Sequence, residues 1–192
     1  EAGGGRLGGL AYCIGSVDLR PLRRASPSDF LRAYAVNVVG AAEALKLAHK
    51  ALAAECDARA SEAAKSAGTA PHAPPGVVLF SSVAARAGLP NHTVVGSAKA
   101  AVEGLAVAAA AELAPKVRVN AVAPSLAASA MAAPMLGNAK AAEAIAAAHP
   151  LRRTGLPEDL AAAADYLLSD ASGWVTATVL AVDGGRGAVA GK

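Results

Sequence analysis

Residues 91–105 read NHTVVGSAKAAVEGL, the opening of an apolar helix with one cation, Lys99, in it. An ammonium beside a phenol lowers the phenol pKa and makes it a usable general acid. Side chains four positions apart share a helix face, and a phenol at position 95 would sit beside this ammonium. Val95 stands there instead and has no proton to give. The other groups that can polarise an oxygen or move a proton are Ser82, which closes the apolar run GVVLFSS, and Asn37, inside a long helical pattern. Tyr12, Tyr34 and His92 are the remaining candidate donors. Each also has a plain role. Ser82 can satisfy backbone groups at a strand end, Asn37 can bond backbone where a helix meets the sheet, and Lys99 can be a solvated helix residue. Tyr12 and Tyr34 can pack against the core, and His92 can be an exposed loop residue.

The elements that must position these groups follow from periodicity. GGLAYCIGS (8–16), GVVLFSS (76–82), KVRVNAVAP (116–124) and TATVLAVDGG (176–185) are short apolar runs of the kind that form buried parallel strands. Ser26 as N-cap and Pro27 at the first helical position open a helix predicted over 27–54. A second spans 94–115 and stops at Pro115; shorter helices follow in GNAKAAEAIAAAHP and GLPEDLAAAADYLLSD. Residues 56–75 collect Ala, Ser, Pro and Gly and read as a flexible surface loop. Alternating strands and helices give an α/β, Rossmann-like doubly wound parallel sheet in a single domain over 1–192. Four strands are few for such a sheet, and the first is apolar on both faces, which suits an interior position. No G-x-G-x-x-G stands between a strand and a helix; GGGRLGG has no strand before it.

The chain of 192 residues has 54% hydrophobic but only 3% aromatic residues, so alanine carries much of the apolar content and favours closely packed helices. No uninterrupted apolar run appears long enough for a bilayer, and no membrane span is expected. The net charge of +3 comes from dispersed Lys and Arg without interleaved aromatics, which gives no reason to expect nucleic acid. Cys13 and Cys56, in a buried-looking strand and a helix end, lack metal-ligand spacing and fit a soluble reducing compartment, the cytoplasm or an organelle interior. The chain starts at Glu1 with no signal or transit pattern, and a preceding segment is expected.

Taken in order, these segments resemble the short-chain dehydrogenase/reductase family over essentially the whole chain. LAYCIGS is similar to the strand ending in the family's Asn-Asn-Ala-Gly motif, with only Gly15 kept, and AVNVVGA to the helix carrying its catalytic asparagine, here Asn37. VVLFSSVAARAGLPNHTVVGSAKAAVEGL resembles the segment with the catalytic serine and the Tyr-x-x-x-Lys pair. The family's serine and tyrosine lie thirteen positions apart, which selects Ser82 and Val95 and brings Lys99 into register. VRVNAVAPSLAASAM resembles the Pro-Gly turn that holds the nicotinamide amide: Pro124 is kept, Ser125 replaces the glycine, and Ser129 takes the threonine place. The C-terminal helix and the strand ending in Asp183, Gly184 and Gly185 complete the match.

The resemblance implies NAD or NADP as cofactor, Ser82, Lys99 and Asn37 as catalytic residues, and Gly15, Lys99, Pro124 and Ser129 as cofactor contacts. It places the family's first three strands and its glycine-rich turn before Glu1, so that binding by this chain alone is in question. Two functions stay open: an NAD(P)-dependent oxidoreductase of a small carbonyl compound with a degenerate site, or a non-catalytic scaffold or partner subunit. The resemblance also implies a homo- or hetero-oligomer through helices 27–54 and 94–115.

Overall fold

The computed structural model describes residues 6–65 and 72–189. Among these, four parallel strands, β1 (Gly9–Tyr12), β2 (Gly76–Phe80), β3 (Arg118–Pro124) and β4 (Val179–Val182), pair in sequence order. The helices are α1 (Pro27–Tyr34), α2 (Gly40–Lys65), α3 (Thr93–Leu113), α4 (Ala133–Leu136), α5 (Ala139–Ala147) and α6 (Pro157–Leu168). Parallel strands need crossover connections, and helices here cover both faces of the sheet. Val77, Leu79, Val119 and Ala121 pack on one face with Leu45 and Leu52 of α2 and Val102 and Ala106 of α3. Val78 and Val122 face the other way, toward Ala164 and Leu167 of α6. The period-two alternation of β2 therefore feeds both layers, which is why the run is apolar throughout.

Alanine determines how close α3 comes to the sheet. Ala98, Ala106 and Ala110 are buried along its inner face, and Gly96 lies so near the backbone of Ala84 that an added Cβ would come to 2.7 Å from its carbonyl oxygen. By length and composition alone α3 could cross a membrane, contrary to the expectation from sequence. Half of its apolar window is instead buried inside this domain.

Three other expectations change. The long first helix starts at Pro27 behind Ser26 as expected, but passes through a π-helical turn at Ala35–Val39 and continues to Lys65. Residues 56–65 are therefore helix and not loop; 66–71, the middle of that expected loop, lie outside the described residues, as do Glu1 to Gly5. The extension is held by charge. Glu55, 7% exposed, accepts hydrogen bonds from Arg6 at 2.5 Å and Arg59 at 2.8 Å, and their guanidinium groups hold its carboxyl below the usual range, Arg6 most strongly. Strand β1 covers only four residues of the nine-residue apolar run and is a sheet edge among the described residues. Cys13 just beyond it is exposed, not buried, and Cys56 is half-buried inside α2 rather than at a helix end.

Candidate functional site

The carboxyl ends of β1, β2 and β3 open into one cleft of about 1000 Å³. Open parallel sheets place ligands there, because the loops leaving the strands diverge at that edge. Gly15, Ser82, Val95, Lys99, Pro124 and Ser129 all line it.

Helix α3 delivers Lys99 from beneath. The side chain is buried, and its Nζ donates to the Phe80 carbonyl at 2.8 Å. Burial lowers the Lys99 pKa to about 8, because the charged form loses water. The reading of a solvated helix lysine is thus overturned. Val95, one turn earlier, is 3% exposed and shares that wall. Ser82 is half-buried and accepts the Ala84 N–H at 3.1 Å, its plain strand-end role, while its own proton has no acceptor among the described residues. Its neighbour Ser81 is buried and donates to the Lys99 carbonyl at 3.1 Å. The two serines therefore differ: one ties β2 to α3 and the other keeps a donor for the cleft.

Asn37 is buried behind Gly15 and does not line the cleft. Its Nδ2 donates to Ala33 O at 2.8 Å and Ser16 Oγ at 3.0 Å, and its Oδ1 accepts Ser16 N–H at 3.2 Å. The π-helical turn is centred on it, and the side-chain amide takes up a carbonyl that the wider turn releases. Gly15 passes over this group. A Cβ at Gly15 would lie 3.0 Å from both Asn37 Oδ1 and Lys99 Nζ, so a side chain there would force these groups to shift.

The candidate proton donors separate clearly. Tyr12 turns its hydroxyl toward α2, where an added Cβ at Gly40 would meet it at 2.3 Å, and packs on the core. Tyr34 is 49% exposed and neither packs on the sheet nor lines the cleft. His92 is half-buried at the start of α3, lines the cleft, and has Nδ1 2.7 Å from the Pro90 carbonyl.

One pair was not anticipated. His149, just after α5, is 3% exposed; its Nε2 lies 2.8 Å from Ser125 Oγ and its Nδ1 2.7 Å from the Ile145 carbonyl. Both residues border the cleft and a side cavity of about 310 Å³. The only signal in the sequence is Ser125 in a glycine's place; nothing there connects it to His149.

The site fits the nicotinamide end of a dinucleotide. Two of the three Lys99 ammonium protons have no acceptor among the described residues, which suits a sugar diol beside Gly15. For the pyrophosphate, no strand leading through a glycine-rich turn into a helix is present among the described residues.

Residues 1–186 match the family described as enoyl-(acyl carrier protein) reductase. The chain is 34% identical over 181 residues to an uncharacterized oxidoreductase of Mycobacterium tuberculosis, covering 94% of this chain and 63% of that protein. A short-chain type dehydrogenase/reductase from Mycobacterium ulcerans superposes with a TM-score of 0.83 at 31% identity, over 99% of this chain and 64% of that one. ElxO with NADP bound superposes at 0.77 and 25% identity, over 93% and 66%. The chain thus spans a little under two-thirds of the length of the first two of these relatives. With the motif order, the parallel sheet and these matches in agreement, the chain belongs to the short-chain dehydrogenase/reductase family.

Proposed function

We propose that this chain forms the nicotinamide and substrate half of an NAD(P)-dependent oxidoreductase acting on a small carbonyl compound or the corresponding alcohol. The observation that carries this reading is the convergence of Ser82, Lys99 and Gly15 on one cleft at the carboxyl edge of the sheet. The nicotinamide, when bound, supplies or accepts the hydride. Lys99 holds the ribose hydroxyls with the ammonium protons left over from Phe80 O. Ser82 donates its free proton to the carbonyl oxygen and draws electron density from the carbon. Asn37 fixes Ser16, and through it Gly15, so that the backbone can lie against the cofactor. Pro124 and Ser129, which line the same cleft, would border its carboxamide. The NADP held by ElxO supports the cofactor class.

A specific observation favours a second reading. Val95 is buried on the cleft wall where the family's phenol stands, and an isopropyl group cannot act as an acid. A scaffold that binds cofactor without turnover would retain this arrangement too. Helix faces that leave Leu47 of α2 and Val107 of α3 exposed support a homo- or hetero-oligomer in either case, and sedimentation showing only monomer at micromolar concentration would remove it.

The test is Val95→Tyr in the full-length protein, with nicotinamide binding followed by fluorescence and carbonyl reduction by absorbance. Restoring the phenol should raise reduction by about 10²-fold or more. Cofactor binding with no carbonyl reduction in either the parent or the variant would favour the scaffold, and no cofactor binding would reject both the cofactor and the oxidoreductase assignment.

A further inference from the structure

The site has a hydroxyl that polarises, an ammonium that binds, and no phenol. A proton must still move whenever a carbonyl and an alcohol interconvert. Three neighbouring groups can be compared. Tyr12 and Tyr34 do not line the cleft. His92 does, but it stands at the start of α3 with one ring nitrogen on Pro90 O and no hydrogen-bonded hydroxyl among the described residues. Ser125 and His149 differ from all of these.

Their hydrogen-bond roles can be assigned. A backbone carbonyl only accepts, so the contact with Ile145 O places a proton on Nδ1 of His149. In the neutral ring Nε2 is then the lone-pair nitrogen, and the 2.8 Å contact is donated by the Ser125 hydroxyl. This is the arrangement of a hydroxyl backed by a base.

Strand register places that hydroxyl close to the reacting end of the cleft. Phe80, the last residue of β2, is opposite Val122, and Ser81 N–H still donates to Val122 O; Ser82 and Ser125 follow just beyond the carboxyl ends of these adjacent strands. Neighbouring strands lie about 4.8 Å apart. Ser82 and Ser125 therefore both stand at the carboxyl edge of the sheet, and both line the cleft.

We infer that Ser125, backed by His149, is the proton-transfer group that stands in for the absent phenol; this rests on the oxidoreductase reading above. In the alcohol-oxidising direction the substrate C–H bonding pair leaves as hydride to the nicotinamide. The substrate O–H proton passes to Ser125 Oγ, and the electron pair of that bond becomes the carbonyl π bond. The Ser125 proton moves to Nε2, and His149 becomes imidazolium with Nδ1–H still on Ile145 O. Reduction runs the same steps backwards, and the Nε2 proton of His149 exchanges with solvent through the cleft and side cavity that it borders. Ser125 is the catalytic residue of this pair. His149 acts through it.

The experiment uses the full-length protein and three readouts: nicotinamide binding by fluorescence, hydride transfer to a panel of small ketones and from secondary alcohols, and 15N NMR of histidine-labelled protein without cofactor. His149→Gln retains an acceptor for Ser125 but cannot carry a proton. It should lower hydride transfer about 10²-fold or more while nicotinamide affinity changes little. Ser125→Gly should do the same, and added imidazole should restore part of the rate in His149→Gly. The spectrum should show a neutral His149 ring protonated at Nδ1, identified by its disappearance in His149→Gln. Full turnover in a cofactor-binding His149→Gln, loss of turnover in His92→Gln instead, or an Nε2–H tautomer would each overturn the inference. A parent protein that binds cofactor without any turnover would overturn it in favour of the scaffold. A parent that binds no nicotinamide would show that the oxidoreductase reading itself had failed.

Discussion

The two walls of the cleft are built differently. On the β2–α3 wall, Ser82, Val95 and Lys99 lie within one continuous stretch and reach the cleft by helical and strand periodicity. On the β3–α5 wall, Ser125 and His149 are 24 positions apart and meet only because the chain returns past α5. The first wall carries a cation and a hydroxyl, with Val95 between them in sequence. The second carries a hydroxyl hydrogen-bonded to an imidazole. The contrast shows that spacing along the chain brings one group together and tertiary packing the other.

The largest expected effect on stability tests the first wall. The Lys99 ammonium is held out of water, with its pKa lowered from 10.5 to about 8 by burial. Between those values the unfolded chain carries a proton that the folded chain has released, so stability rises with pH across that window. Below pH 8 the full cost is present, on the order of 3 kcal/mol. Lys99→Met should therefore be more stable than the parent at pH 7, with the advantage shrinking as pH rises through that window in parallel urea titrations. An unchanged difference from pH 7 to 10 would mean that the ammonium is better solvated than its burial indicates.

A smaller loss is expected from Asn37→Ala, which strips Ser16 N–H and Ala33 O of their side-chain partner. About 1–3 kcal/mol should disappear from the unfolding free energy, together with nicotinamide affinity, because Gly15 loses its support. If stability falls and affinity does not, Asn37 serves only the π-helical turn.

The smallest effect belongs to the side cavity that Ser125 and His149 also border. Asp159 accepts from Arg153 at 2.6 Å and from the Leu156 N–H at 2.7 Å, which hold its carboxyl down at about 2, Arg153 most strongly. A lowered carboxylate pKa contributes stability above the usual value near 3.8 and loses it as pH falls toward 2. Asp159→Asn should lower Tm slightly at pH 7, with the difference shrinking from about pH 4 downward and gone only below pH 2. A pH-independent difference would assign the effect to packing of α6.

Much of the architecture was legible because strand and helix periods differ. The runs at 76–82 and 116–124 became β2 and β3, and α3 starts within one residue of its expected position. The run at 8–16 misled because apolar composition reports proximity to the interior and not backbone pairing. After Tyr12 the chain leaves the sheet and follows the cleft mouth, where Ile14 is 64% exposed. The expected loop at 56–75 misled for the opposite reason. Proline and glycine occur only from Gly68 onward, while Arg59 and Glu62 earlier in the segment pair with Glu55 and Arg6 and extend the helix.

The sequence by itself determined the α/β class, the family and the alignment of Ser82, Val95 and Lys99, because these depend on residue type and interval along one chain. Only the tertiary structure decided that Lys99 is buried, that Asn37 works behind Gly15, that Tyr12 and Tyr34 miss the cleft, and that Ser125 meets His149. Burial and long-range pairing are properties of the packed chain. They depend on where distant segments come together, which local spacing does not encode.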